Sequence, residues 1–248
     1  MYNPFSLEGK TILITGASSG IGRSAAIECS RLGAKVIITA RNEERLRETL
    51  SMMEGEDHSM LLCDMSDTNQ IEDMVKALPE IQGLINNAGF TKAKPIPFIG
   101  EEDLKEVLTV NTIAPIMVLK LLLKKKKIKA GASVVFTSSV AGLGETVVGN
   151  AIYTSSKGAI SAFITCAALE LAQKHIRVNA VCPGMVETNI LSEGIITSDQ
   201  IEKDKMNYPL GRYGKPEDVA WAMVYLLSDA SAWVTGTNMV VDGGYTVR

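Results

Sequence analysis

Histidine is nearly absent from this chain of 248 residues, which holds only His58 and His175. Cysteine is scarce too: Cys29, Cys63, Cys166 and Cys182 stand far apart, with no C-x-x-C pair. A Cys/His metal site is therefore not expected, and the thiols read as buried apolar side chains of a reducing compartment. Nor is there an excess of positive charge. The 25 basic and 28 acidic residues leave a net charge of −3, so neither nucleic acid nor an anionic membrane is an expected partner. The N-terminal "MYNPFSLEGK" lacks the basic start and apolar stretch of a signal peptide. The most apolar helix candidate, "TIAPIMVLKLLL", is interrupted by Pro115 and Lys120 and is too short to cross a bilayer. A cytoplasmic protein without a membrane partner is expected.

What is present is an ordinary globular composition, 46% hydrophobic and 21% charged, in a chain of a size that suits one α/β domain. Short β-branched runs alternate with longer amphipathic ones. Strands are expected at Thr11–Thr15, Lys35–Thr39, Ser59–Cys63, Gly83–Asn87, Ser133–Thr137, Ile176–Val181 and Asn238–Val241. Helical periodicity marks Ser24–Leu32, Glu43–Met53 and Gly158–Gln173. Such alternation implies a doubly wound parallel sheet of about seven strands, a Rossmann-type α/β single domain, with helices on both faces. Ligands of such sheets bind beyond the carboxyl ends of the strands, near the switch point. No linker, repeat or low-complexity tract divides the chain.

The first strand runs directly into "TGASSGIGR", Thr15 to Arg23. Gly16, Gly20 and Gly22 let the backbone turn tightly and approach a pyrophosphate, whose charge meets a helix N-terminus. The spacing is G-x-x-x-G-x-G, and it resembles the phosphate turn of the short-chain dehydrogenase/reductase family. The resemblance implies a cofactor held by Gly16, Ser18, Ser19, Gly20, Ile21 and Gly22. At the end of strand two, where an acid would grip the adenosine ribose, stands Arg41. A guanidinium can bind a 2′-phosphate bidentately, which favours NADP(H) over NAD(H); stacking on adenine, or a plain surface position, is the alternative. Asp64 resembles the family residue at the adenine amino group, and it could equally cap the next helix. Asn87, Ala88 and Gly89, in the "NNAG" after strand four, match the family motif that packs on the cofactor.

A second constellation concerns chemistry. In "NAIYTSSKGAIS" a helix places Tyr153 and Lys157 on one face. A nearby ammonium lowers a phenol's pKa from about 10 towards the range useful in proton transfer. The stretch "SVVFTSSVAG" ends a strand with Ser138 and Ser139, hydroxyls that can polarise a substrate carbonyl. Ser139 fits the family position best and Ser138 is the second choice. Asn111 lies within an apolar helix, and Pro115 at i+4 cannot donate to its carbonyl. In the family this asparagine anchors a water on a proton path to the lysine. The resemblance thus implies Asn111, Ser139, Tyr153 and Lys157 as catalytic residues, Ser139 and Tyr153 meeting substrate, and Tyr153 and Lys157 also meeting cofactor.

Downstream, "VNAVCPGMVETNI" resembles the family's Pro-Gly turn, where Pro183, Gly184, Val186 and Thr188 would meet the nicotinamide. Residues 190–208 resemble a substrate lid. The cofactor part spans roughly 8–115 and the catalytic part 116–248. The segment "QIEDMVKALPEIQG" makes the helix before the fourth strand shorter than is usual in the family. Among family members the resemblance is strongest to 3-oxoacyl-acyl-carrier-protein reductases, from "YPLGRYGKPEDVA" and "VTGTNMVVDGGY". Sugar, steroid and small-diketone reductases share those endings, and a non-catalytic NADP(H)-binding regulator is a remote alternative. An acidic carrier protein would need a basic patch, for which Lys124–Lys129 with Lys174 is the candidate; solvated lysines at a helix end are the plainer reading. A homotetramer is implied by the resemblance, with Phe163 and Trp233 serving either core or interface.

Overall fold

Residues 2–188 and 198–248 are described by a computed structural model of the chain. The β-branched runs form seven strands: β1 Thr11–Thr15, β2 Lys35–Ala40, β3 Ser59–Leu62, β4 Ile81–Asn86, β5 Ile128–Thr137, β6 Arg177–Pro183 and β7 Asn238–Val241. They pair in one parallel sheet of order β3-β2-β1-β4-β5-β6-β7. Helices α1 Gly20–Arg31, α2 Glu43–Ser51, α3 Thr68–Ala77, α4 Glu101–Leu108, α5 Ala114–Lys124, α6 Ala151–Leu171, α7 Ser198–Lys205 and α8 Pro216–Leu227 complete the fold. A parallel sheet buried on both faces needs continuous apolar strands. Ile12, Leu13 and Ile14 of β1 and Val134, Val135 and Phe136 of β5 are accordingly at most 1% exposed. Two apolar cores result. One packs α3, α5 and α6 on the sheet, and the other packs α1 and α8 on its opposite face. Phe163 belongs to the first of these layers, edge-on to Phe136, whereas Trp233 is fully exposed.

Three expectations need correction. β5 begins at Ile128, five residues early, because Ile81 pairs with Ile128 before the register resumes at Gly83 with Ser133. The polar Lys129–Gly131 insertion at that irregularity hides the strand from its pattern. α6 begins at Ala151, so the helix carries Tyr153 and Lys157 in its first two turns. Pro115 does not break its helix. Glu101–Lys124 runs continuously for 24 residues, long and apolar enough to cross a membrane by those measures alone, and half of its apolar window is buried. The missing Pro115 N–H is absorbed by a π turn at Thr109–Ile113, in which the Ala114 amide reaches back five residues to the Thr109 carbonyl. The helix before β4 is the ten-residue α3, which packs in one core with α5.

Sequence order reverses between β1 and β4. β1–β3 build outward to one edge and β4–β7 to the other, so the loops after β1 and β4 diverge and open a cleft there.

Candidate active site

The turn after β1 is built for close approach. Gly16 has a φ of +68°, and a Cβ there would stand 2.7 Å from the Ala88 Cα. A Cβ on Gly22 would meet the Gly16 carbonyl oxygen at 2.3 Å. Only glycine lets turn, helix and β4 loop pack this tightly. Ser19 is the N-cap of α1, yet its side chain makes no capping bond and the first turn carries no acid. The amides of Gly20, Ile21 and Gly22 thus begin a helix whose positive end faces the cleft, a cradle that suits a pyrophosphate. Ser18 is fixed through its carbonyl, which accepts from Arg23 Nη2 at 2.8 Å, while Glu48 and Thr49 of α2 hold the rest of that guanidinium. Arg23 is a positioning residue the sequence reading missed. Its side-chain partners lie 25 and 26 residues away and follow no local pattern.

Across the cleft, the amides of Asn87 and Ala88 both donate to Thr15 Oγ1, at 3.0 and 3.1 Å. The Asn87 side chain bridges the Gly16 carbonyl and the Thr137 hydroxyl. Thr15 and Thr137 also escaped the sequence reading, since strand threonines usually signal only β-propensity. Arg41 lies just beyond β2 with its side chain 77% exposed, 3.9 Å from Asp64. Burial opposes ionisation of Asp64, but the Ser66 amide and hydroxyl, with Arg41 beyond them, hold its carboxyl below the usual range. Asp67, not Asp64, caps α3.

The loop after β6 closes the other side. Gly184 donates to the Val241 carbonyl, and Val186 bridges Gly214 through bonds made by its neighbours Met185 and Glu187. In a parallel bridge of this kind the Val186 amide and carbonyl point away from Gly214, as a ligand-binding backbone would. Pro183 ends the strand, and Thr188 Cγ2 would lie 3.1 Å from a Cβ on Gly20, which brings this loop onto the phosphate turn. The expected lid at 190–208 falls partly outside the described residues; α7 lies within it, Met206–Tyr208 follow α7, and the Tyr208 hydroxyl accepts from the Met185 amide at 3.2 Å.

The remaining groups converge at the carboxyl ends of β4 and β5. Lys157 is 4% exposed, and its Nζ donates to the Thr137 carbonyl at 2.7 Å. Burial pulls its pKa down to about 8. Asn111 sits in the π turn with its amide donating to Phe90 O and Ser156 Oγ and its Oδ1 accepting from the Phe90 amide. A Cβ on Gly89 would stand 3.0 Å from Asn111 Oδ1 and 3.4 Å from Lys157 Nζ, so both groups face the same glycine. Ser139 lies two residues beyond β5, its Oγ accepting from the Ala141 amide at 3.2 Å and donating to the Pro183 carbonyl at 3.5 Å. Ser138 is 1% exposed and its hydroxyl is spent on Lys157 O and Ser161. The lysine does not lower the tyrosine's pKa here, contrary to expectation. Burial pushes the Tyr153 phenol up, and only the Ser139 hydroxyl beside it works in the other direction. The physical reason is that Lys157 Nζ, 5.8 Å from the ring centroid, gives its hydrogen bond to Thr137.

A glycine turn suited to a phosphate, an open helix end, a half-buried Tyr153 and a buried Lys157 meet at one cleft. The chain matches the family model described as Enoyl-(Acyl carrier protein) reductase over residues 16–246. It is 35% identical to dehydrogenase/reductase SDR family member 6 of Rattus norvegicus over 97% of this chain and 99% of that one. This chain belongs to the short-chain dehydrogenase/reductase family. It is 32% identical to a 3-oxoacyl-acyl-carrier-protein reductase of Rickettsia felis over 96% of this chain and 97% of that one. The Pseudomonas aeruginosa RhlG/NADP active-site complex superposes over the full length of both chains with a TM-score of 0.92 at 28% identity. This short-chain dehydrogenase/reductase is an oxidoreductase that works with a nicotinamide cofactor.

Proposed function

We propose that the protein is an NADPH-dependent ketone reductase whose leading substrate is a 3-oxoacyl thioester carried on acyl carrier protein. The observation that carries this reading is the convergence of Ser139, Tyr153, Lys157 and Asn111 beside the phosphate turn. When bound, the reduced nicotinamide supplies the hydride. Tyr153, kept protonated by burial, gives its phenolic proton to the developing alkoxide, and Ser139 donates a hydrogen bond to the same oxygen. Lys157 would hold the ribose hydroxyls of the bound cofactor and return a proton to the tyrosine. Asn111 supports a water path that restores the proton. The exposed guanidinium of Arg41, with no carboxylate at the end of β2, favours a 2′-phosphate.

Leu143, Val147, Val148 and Met185 are exposed on the loops after β5 and β6, an apolar rim that suits an acyl chain better than a polyol. Lys126, Lys129 and Lys174 line one hollow at the amino end of the sheet, whereas Lys125 pairs with Glu72 and Lys127 holds the Leu78 carbonyl. The six residues of β4, Ile81–Asn86, run alongside β5 from Ile128 to Phe136, so about 17 Å of strand separates the lysines from the carboxyl edge. On this reading a carrier seated at the lysines serves the cleft of a neighbouring copy in a homotetramer. Ile113 and Leu169, exposed on α6 and the helix beside it, suit such an assembly. A cytoplasmic location belongs to the same proposal.

The test is consumption of NADPH against NADH with acetoacetyl-coenzyme A, and with crotonyl-coenzyme A as the enoyl counterpart. We expect NADPH-dependent turnover of the ketone alone. Arg41→Ala should lower the preference for NADPH over NADH by roughly 10- to 100-fold, the range for a charge-assisted hydrogen bond; an unchanged preference removes Arg41 from the site. Turnover of crotonyl-coenzyme A instead would make the protein an enoyl reductase. NADPH binding without turnover of either would turn the search to sugars, steroids and diketones.

A further inference from the structure

Ser138 and Ser139 are neighbours on extended backbone, so their side chains point to opposite sides. Ser139 faces the cleft. Ser138 faces α6, and there it meets the residue on which the proposed chemistry depends. Its hydroxyl donates to the Lys157 carbonyl at 3.1 Å. A hydroxyl has one proton to give, so the 2.8 Å bond between Ser138 Oγ and Ser161 Oγ must be donated by Ser161. The network continues: Ser161 O accepts from Asn238 Nδ2 at 3.2 Å, and Asn238 Oδ1 accepts from the Cys182 thiol at 3.7 Å. Ser138, Ser161 and Cys182 are at most 7% exposed. The carboxyl ends of β5 and β6, the start of β7 and the second turn of α6 are thus tied together behind the site.

Lys157 is consequently gripped twice by consecutive residues of one strand end. Thr137 O takes its ammonium and Ser138 Oγ takes its carbonyl. A third contact presses from the same side, where a Cβ on Gly142 would lie 2.8 Å from Ser138 Oγ and from the Lys157 carbonyl. A buried polar group with every partner satisfied specifies one geometry, because any displacement strands a donor or an acceptor.

We propose that Ser138 is a positioning residue that sets the height of the Lys157 turn of α6 against β5, and so the placement of Lys157 and Tyr153 relative to Ser139. Ser138 touches neither substrate nor cofactor in this assignment, which rests on the ketone-reductase reading above. Displacements of an ångström at such a site are costly in rate. Ser138→Ala should therefore lower kcat roughly tenfold while KM for ketone and Kd for NADPH stay within about twofold. The midpoint of the kcat–pH profile should move, because the environment of Lys157 has changed. Ser138→Thr keeps the hydroxyl and should recover most of kcat. Ser161→Ala removes only a donor to Ser138 and should cost less, and the Ser138→Ala/Ser161→Ala double variant should be no slower than Ser138→Ala alone.

The measurements are kcat, KM and pH profile, with NADPH affinity by fluorescence and thermal unfolding on every variant. Unchanged kcat in Ser138→Ala overturns the proposal. So does a loss that follows thermal stability with an unmoved profile, or additive losses in the double variant. A fall to the level of Ser139→Ala also overturns it, by making Ser138 the substrate-facing hydroxyl. Retained turnover in Tyr153→Phe would instead sink the underlying reading, so the two failures are distinguishable.

Discussion

Replacing Tyr153 by phenylalanine will leave the fold and NADPH affinity intact and lower kcat by roughly three orders of magnitude, inside the 10²–10⁴-fold range for loss of a general acid. The expectation follows from what surrounds the phenol. Burial raises its pKa, so near neutral pH the group is a proton donor, which is the state a carbonyl reduction requires. The ring stays packed in the variant because only the oxygen is removed. No described side chain besides Ser139 lowers that pKa through a side-chain hydrogen bond, and a serine hydroxyl is too weak an acid to take over. Steady-state kinetics with acetoacetyl-coenzyme A and a fluorescence titration with NADPH would check this. Turnover within tenfold of the parent protein would remove Tyr153 from the role of acid, whatever the substrate.

The sheet was legible because burial on both faces demands β-branched runs, and Thr11–Thr15 and Asn238–Val241 have the bounds their patterns imply. Elsewhere the ends moved by a residue or two, since a strand stops where its partner stops. Register with β1 carries β2 through Thr39, and β3 extends it to Ala40. The early start of β5 and the continuous Glu101–Lys124 helix were hidden for a different reason. Both rest on tertiary accommodation, an irregular pairing in one and a π turn in the other, and neither leaves a periodic trace. At the candidate site, Tyr153, Lys157 and the glycine turn stand out because their spacing has a chemical purpose. Ser138 and Ser139 could not be told apart in sequence. Two adjacent hydroxyls are equivalent until the backbone sends them to opposite sides, and the burial of Ser138 separates them. Arg23, Thr15 and Thr137 support the site through Glu48, Thr49, Asn87 and Ala88, partners 25 to 73 residues distant, so no local window contains their signal.

Stability should respond to pH through Lys157 in a direction opposite to that of the buried thiols. Its ammonium is pulled from an ordinary 10.5 to about 8 by burial. Below pH 8 folded and unfolded chains both carry the proton, and the folded state bears the full penalty of a charge in a dry site. As pH rises through 8 towards 10.5 the folded chain releases that proton while the unfolded chain still holds it. Stability then increases with pH, by about 2 kcal/mol between pH 7 and 9.5. The buried thiols oppose this trend. Desolvation raises Cys63 and Cys182 to about 11 and Cys29 further still, so above pH 9 the unfolded chain loses protons that the folded one keeps. Tyr153 acts in the same sense above pH 10. Cys29 and Cys63 are untouched in Lys157→Met, an apolar replacement of similar length. Cys182 loses the Lys157 charge that lowers it, but its raised thiol stays mostly protonated to about pH 9.5 in both folded proteins. The thiol contributions therefore cancel when the two are compared. The advantage of the variant in Tm should therefore shrink by roughly 4–8 °C between pH 7 and 9.5, measured by calorimetry without cofactor. Parallel curves would mean that the Lys157 amine is solvated, and that the Thr137 carbonyl does not hold it in a dry pocket behind Gly89.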